Sequence, residues 1–405
     1  MKVESVNYSP AQIFRKCGAG FLMGLISAHF LLTLGFFQKF SSLISTALIL
    51  LFLLILFKTK KSPQNSPKNN LLVFLVFFFF FFGVFRYFSP AYSFSRILPS
   101  SVLELCRDFR DKMRLNLGKI LPQPQAGLAK SFLFGGRKNL SFELKNKIRR
   151  VGLSHIVAVS GMHLAFIAGF VAAFNTLFSA NRYFGFFSSL SVILVFVIMA
   201  DFTPSVVRAL VMTFLFLLSR LKWRIYNPIN AVLFAAFAMT VLEPKIIFDD
   251  LGFQLSFLAI LGIIYFYPLF EKYSFWQKEI FKSPLRVFKE AAILSFSSLI
   301  LVFPWIVFKT GAASLVGPFA NVLIVPLVPY VMILGLITAL LSFIFYPLAI
   351  FIGFYLNLLL ILIVGIIQFL SSLSFSEIYL PFGFRYLFLA FYFFPLWYIY
   401  KKDRS

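Results

Sequence analysis

The chain has 405 residues, 60% of them hydrophobic and 13% charged, about half the charged share of a soluble domain. That composition excludes a soluble globular protein and points to a polytopic membrane protein. Its 38 Lys and Arg against 14 Asp and Glu leave a formal charge of +24, which favours anionic partners such as membrane lipid headgroups or a polyanion.

The predicted architecture is an all-α bundle of about 12 transmembrane helices, within a range of about 10 to 13, some of them broken. In chain order the spans fall at 17–37, 41–57, 70–88, 154–178, 185–200, 205–219, 228–242, 251–270, 291–309, 313–343, 345–370 and 384–400. Arg15 and Lys16 precede the first, which is too long for a signal peptide and lacks a small-residue cleavage site, so it reads as a retained helix. The run VFFFFFFGVF at 76–85 is apolar filler suited to lipid. Pro318, Pro326 and Pro329 interrupt 313–343, which is either one tilted span or two short ones.

Basic residues in short loops mark the cytoplasmic side. Lys58, Lys60, Lys61 and Lys68 mark one such loop, Arg220, Lys222 and Arg224 another, loop 271–290 is net basic, and Lys401, Lys402 and Arg404 form a basic tail. The loop with Glu243, Lys245, Asp249 and Asp250 is net acidic. Both termini are therefore expected in the cytoplasm, and Cys17 and Cys106 on opposite sides, so no disulfide is expected.

This topology puts residues 89–150 outside although they hold thirteen Lys or Arg against four acids, which long external segments tolerate. Within it Val102, Cys106, Phe109, Met113, Leu117 and Ile120 recur at three- and four-residue steps, predicting an amphipathic helix with Arg107, Arg110, Lys112, Arg114 and Lys119 elsewhere on the wheel. Such a helix either lies on anionic headgroups or attracts a polyanion. A second helix is predicted from Ser141 as N-cap, with Glu143 in its first turn, Lys145, Lys147, Arg149 and Arg150 towards its end, and Gly152 to terminate it. The expected organisation is four-part: N-terminal spans at 1–88, the basic extracytoplasmic helical segment at 89–150, a main transmembrane domain at 151–400 and the tail at 401–405.

Ionisable and polar groups at membrane depth are costly and point to function. In GLSHIVAVSGMHLAF, His155 and His163 are eight residues apart, which on a helix means about 80° of rotation and about 12 Å of rise. That separation defeats a shared metal, and no metal site is expected. Ser160 and His163 lie on neighbouring helical faces, which raises an intramembrane Ser/His hydrolase. The stretch has no oxyanion loop and no nearby acid, and Ser–His bonding also serves as packing between helices. Arg208 follows Pro204 just inside a span, either snorkelling or lining a polar route. Gln254 and Ser256 sit one or two turns into the next but one span, as interhelical glue or pore lining, and Asn321 lies in the proline-broken segment, where freed backbone groups can face a cavity. There is no GxxxxGK[ST] loop and hence no expected NTP motor.

Taken in order, LPQPQAGLAKSFLFGGRKNLSFELKNKIRRVGLSHIVAVSGMH, PSVVRALVM, NPINAVLFAAFAMTVLEPKIIFDDLGFQLSFLAILGI and SLVGPFANVLIVPLVPY resemble the membrane domain of the ComEC-type competence proteins, over about residues 95–345. The resemblance implies an inner-membrane channel of a bacterial cell that admits single-stranded DNA to the cytoplasm during natural transformation. It places His155, Ser160 and His163 in the central motif, with Arg208, Gln254, Ser256 and Asn321 as further path candidates. Arg107, Arg110, Arg114, Lys119, Lys145, Lys147, Arg149 and Arg150 become candidates for DNA capture. The family often carries an external OB-like domain and a metallo-β-lactamase-like nuclease domain. Here the external segment 89–150 has only 62 residues, and three scattered histidines cannot build a zinc nuclease. The expectation is a chain with no cofactor and no enzymatic site, working with an external DNA receptor, a separate nuclease, and a cytoplasmic ATPase or single-strand-binding protein. A transporter or flippase for another anionic or lipid substrate is the alternative.

Overall fold

The computed structural model describes residues 10–33, 67–88, 99–136, 139–157, 161–177, 181–272, 286–392 and 394–395. These residues form two compact units, one drawn from 1–97 and 226–251, the other from 98–225 and 252–405.

In the first unit α1 (Pro10–Thr33) packs along α2 (Pro67–Phe88), with α10 (Pro228–Leu242) and the short α11 (Ile246–Asp249) beside them. The α1–α2 backbones approach closely because glycines face each other's chains, the device by which membrane helices gain dispersion contact. A Cβ on Gly24 would collide with the Phe80 carbonyl oxygen, and one on Gly83 with that of Phe21. Phe21, Leu25, Ala28, Val84 and Tyr87 fill the seam. Arg86 is buried and donates to the Val241 and Leu242 carbonyls, satisfying the last acceptors of α10. His29 Nδ1 is 2.8 Å from the Tyr87 hydroxyl, and its ring stacks on Phe248 at 3.9 Å. The expected span at 41–57 lies outside the described residues.

The second unit begins with α3 (Ser100–Ile120), α4 (Gln125–Phe134), α5 (Phe142–Arg150) and the short α6 (Ser154–Val157). It continues with α7 (Gly161–Leu177), α8 (Arg182–Met199), α9 (Pro204–Leu221), α12 (Leu251–Glu271) and α13 (Arg286–Thr310). The expected segment 313–343 resolves into α14 (Gly317–Ile324), a 3-10 turn at Val325–Leu327 and α15 (Val328–Ile344). Pro326 removes a backbone donor at that break. Next comes α16 (Tyr346–Ser372). At the start of the expected span at 384–400 lie two helical turns, α17 (Phe382–Arg385) and α18 (Leu387–Ala390), and residues 396–400 lie outside the described residues. Among the described residues six helical stretches are long and apolar enough to cross a membrane, namely 182–199, 204–221, 251–271, 286–310, 317–344 and 346–372.

The bundle is not wholly α. Ala312 pairs with Tyr379 and Ala313 with Ile378 in a two-residue antiparallel ladder, and Leu380 N–H donates to the Gly311 carbonyl at 2.8 Å. Helix starts follow local rules: Asn181 accepts from Tyr183 N–H, Asn227 from Asn230 N–H, and Pro204 and Pro228 occupy the first turns of α9 and α10. The main core surrounds α4, a helix that the sequence pattern does not predict. Phe132 and Leu133 pack with Leu153, Ile156, Val328, Val331, Leu360 and Ile363. A second cluster of Leu164, Ile193, Val197, Val206 and Leu210 joins α7, α8 and α9.

Candidate functional site

The basic segment folds onto the second unit rather than standing off it. Its first helix buries Leu103, Arg110, Met113 and Leu117, while Val102 and Phe109 are exposed. The stripe is thus rotated from the predicted one, because Arg110 is drawn inward by a tertiary partner. Arg110 Nη1 donates to Asp201 Oδ2 at 2.6 Å and to the Met199 carbonyl at 2.9 Å, and its Nε to Asp111 at 3.1 Å. Burial opposes its charge, but the bonds to Asp201 and Asp111 more than offset this and hold the guanidinium above its ordinary pKa. Asp201 sits in the left-handed region, φ 53°, in the tight α8–α9 turn, a conformation Asp tolerates better than most residues. Arg107 reaches the same carboxylate at 3.3 Å.

Arg114 donates to Asp111 and to the Gly135 carbonyl, both at 3.3 Å, and lies over the Phe134 ring. Burial, followed by repulsion from Arg110, pushes its pKa down. Lys130 on α4 is likewise pushed down, by burial and then by Arg114.

In α5 the Ser141 hydroxyl accepts from Leu144 N–H at 3.3 Å and Lys147 pairs with Glu143. Leu144 and Ile148 face the core, and Gly152, at φ +77°, ends the helix in the region that favours glycine. Arg149 bonds Glu377 at 2.8 Å and Tyr379 at 3.2 Å. Lys119, Lys145 and Arg150 are exposed and form no ion pair among the described residues. Four stretches, 100–150, 200–203, 311–316 and 373–381, meet at one end of this unit through Arg110–Asp201, Arg149–Glu377 and the β ladder.

Two of the polar path candidates in the apolar helices are tied across helix pairs. Trp305 Nε1 donates to Gln254 Oε1 at 2.8 Å, and Asn321 Nδ2 to Ser295 Oγ at 3.0 Å, joining α12 to α13 and α14 to α13. His155 is exposed and its Nδ1 donates to the Gly152 carbonyl at 3.2 Å, whereas His163 is fully buried. Ser160 lies outside the described residues. Arg208 is 5% exposed. Its Nη2 is 3.4 Å from Ser205 Oγ, which is 3.5 Å from Ser256 Oγ, and its Cζ lies 5.6 Å from the Phe257 ring centre. Of the seven path candidates the structure brings Arg208 and Ser256 to one locus. Ser205, Ser295, Trp305 and Asp201 are partners that residue type alone does not single out as such.

Fold and site together define an α-helical membrane protein with a cationic end and a buried arginine among its spans. The chain belongs to the Competence protein family, whose model matches residues 132–405, more than half of the sequence. Over 154 residues it is 24% identical to ComE operon protein 3 of Bacillus subtilis (strain 168), covering 38% of this chain and 20% of that protein. Over 148 residues it is 29% identical to an uncharacterized protein of Aquifex aeolicus (strain VF5), covering 36% of this chain and 34% of that one. No solved structure matches the chain.

Proposed function

We infer that this chain forms the membrane path by which one strand of DNA passes from outside a bacterial cell to its cytoplasm during natural transformation. The observation that carries the reading is the match to the Competence family over residues 132–405. The basic end supports it. A single strand carries a charge at every phosphate, and its capture calls for accessible cations that release counterions on contact. Lys119, Lys145 and Arg150 offer such cations, while Arg107, Arg110, Arg114, Lys147 and Arg149 are engaged with carboxylates.

On this reading the basic end faces outward, both termini face the cytoplasm, and the host membrane is the bacterial inner membrane. His155 stands near the mouth, and His163, Arg208, Gln254, Ser256 and Asn321, with Ser160, lie along or beside the route. The chain conducts and does not cut. An external receptor delivers DNA, a separate nuclease removes the other strand, and a cytoplasmic ATPase or single-strand-binding protein biases passage.

A deletion strain supplied with labelled DNA tests this. It is expected to bind DNA at its surface, fail to bring it into the cytoplasm, and recover when the full chain is expressed. Unimpaired transformation, with loss of a small solute or an envelope lipid instead, assigns the chain to another class of transporter.

A further inference from the structure

Arg208 is a cation buried in an apolar helix. Among the described residues no carboxylate pairs with it, and its Nε and Nη1 are buried and have no hydrogen-bond partner. Removing one partner of a buried ion pair is strongly destabilising because it strands the other charge. Here the native chain already holds a stranded charge, a cost that folding does not require. Costs of this kind concentrate at functional sites.

The surroundings suit an oxyanion. Nε and Nη1 carry three unused N–H donors of a planar guanidinium, and each forms a fork with Nη2 of the kind that matches phosphate oxygens. Ser205 and Ser256, from different helices, place two hydroxyls at the Nη2 end, Ser205 3.4 Å from Nη2 and Ser256 3.5 Å from Ser205. The backbone at Gly161 approaches the same nitrogen, where a Cβ would lie 3.6 Å from Nη2. Phe257 covers the guanidinium, an apolar wall that a base can replace as a stacking surface.

We propose that Arg208, Ser205 and Ser256 form an oxyanion site that receives a phosphodiester group of the strand in transit. The inference rests on the DNA path proposed above and names where along it a phosphate is held. Occupation separates Ser256 from Ser205, because the phosphate oxygens take the place of their mutual contact.

The test uses the full chain in nanodiscs of neutral lipid, titrated separately with a single-stranded oligonucleotide, inorganic phosphate and phosphatidylglycerol. Arg208→Gln is expected to weaken oligonucleotide binding about 10- to 100-fold and to lower the salt slope by about 0.7, with Arg208→Lys intermediate. The same variant is expected to be at least as thermally stable as wild type without ligand, since a stranded charge is removed; a purely structural arginine gives the opposite shift. An oligonucleotide with neutral methylphosphonate linkages should bind wild type and Arg208→Gln alike. In a Cys17→Ser, Cys106→Ser background, Ser205→Cys with Ser256→Cys should support less DNA uptake when oxidised than the same variant does when reduced.

Unchanged oligonucleotide binding by Arg208→Gln overturns the proposal even if wild type supports uptake normally. Loss in the phosphatidylglycerol arm alone assigns the site to a lipid headgroup, and loss in the phosphate arm alone to a free anion; each overturns the strand assignment. Failure of the wild-type chain to support uptake at all instead removes the DNA path on which the proposal stands.

Discussion

Arg110 and Asp201, separated by 91 positions in sequence, meet at 2.6 Å and join the basic helix α3 to the turn between two membrane-crossing helices. Arg110 is nearly buried while Asp201 keeps half its side chain exposed, so the pair is intermediate between a surface bridge and a desolvated one. Asp201→Asn or Arg110→Met is expected to cost about 1.5–3 kcal/mol, the range for hydrogen bonds to charged groups. The double variant should cost less than the sum of the two. Thermal unfolding of the full chain in detergent measures all three, and strict additivity would show that the pair carries no coupling.

The exposed cations behave differently. Lys119→Glu, Lys145→Glu and Arg150→Glu should leave the thermal midpoint nearly unchanged, because surface substitutions without partners rarely matter to stability. Each should weaken single-strand binding and reduce the salt slope by about 0.7 for each phosphate that is no longer neutralised. Binding titrated between low and physiological salt reads this directly, and an unchanged slope in the triple variant would remove these residues from capture.

In the first unit the α1–α2 seam admits no side chain at Gly24, where the Phe80 carbonyl occupies the space a Cβ would need. Gly24→Leu should destabilise by about 1–3 kcal/mol or more, as overpacking does. Gly18, on the same helix with nothing within 4 Å of its Cβ position, is the control: Gly18→Ala should be neutral or stabilising by about 0.5–1 kcal/mol. Equal losses at both positions would contradict the close approach.

Asn321 on the broken helix donates to Ser295 at 3.0 Å. A double-mutant cycle with Asn321→Ala and Ser295→Ala is expected to give a coupling near 0.6 kcal/mol and below about 1.7 kcal/mol, the range for hydrogen bonds between membrane helices. A coupling of zero would leave the bond without weight in holding α14 to α13.

The long spans from α8 to α16 are legible in the sequence because an apolar run of membrane length has few alternatives to a helix. The prolines of 313–343 mark an interruption because each lacks a backbone donor, but which of the three breaks the helix is not legible. The inward face of α3 is not. Its wheel shows Arg110 as a polar residue to be turned outward, and its burial is made tolerable by the distant Asp201 and Met199 carbonyl together with the adjacent Asp111. The two short turns at 382–390 also depend on tertiary context, since Leu380 bonds back to Gly311 before they begin. Arg208 and Ser256 stand out as polar residues in apolar runs, but their meeting through Ser205 requires the local approach of α9 and α12 at these residues. Serine is too common in membrane helices to signal such a role by itself.

Conduction of a single strand across a membrane is tested most directly by entry of a fluorescent single-stranded oligonucleotide into sealed vesicles holding the full chain. Single-strand-binding protein trapped inside retains what enters. Entry is predicted to depend on the chain, to fall with rising salt and in the Lys119→Glu, Lys145→Glu, Arg150→Glu variant, and to exclude a duplex of equal length. No entry above that of empty vesicles, or equal entry of duplex and single strand, would contradict it.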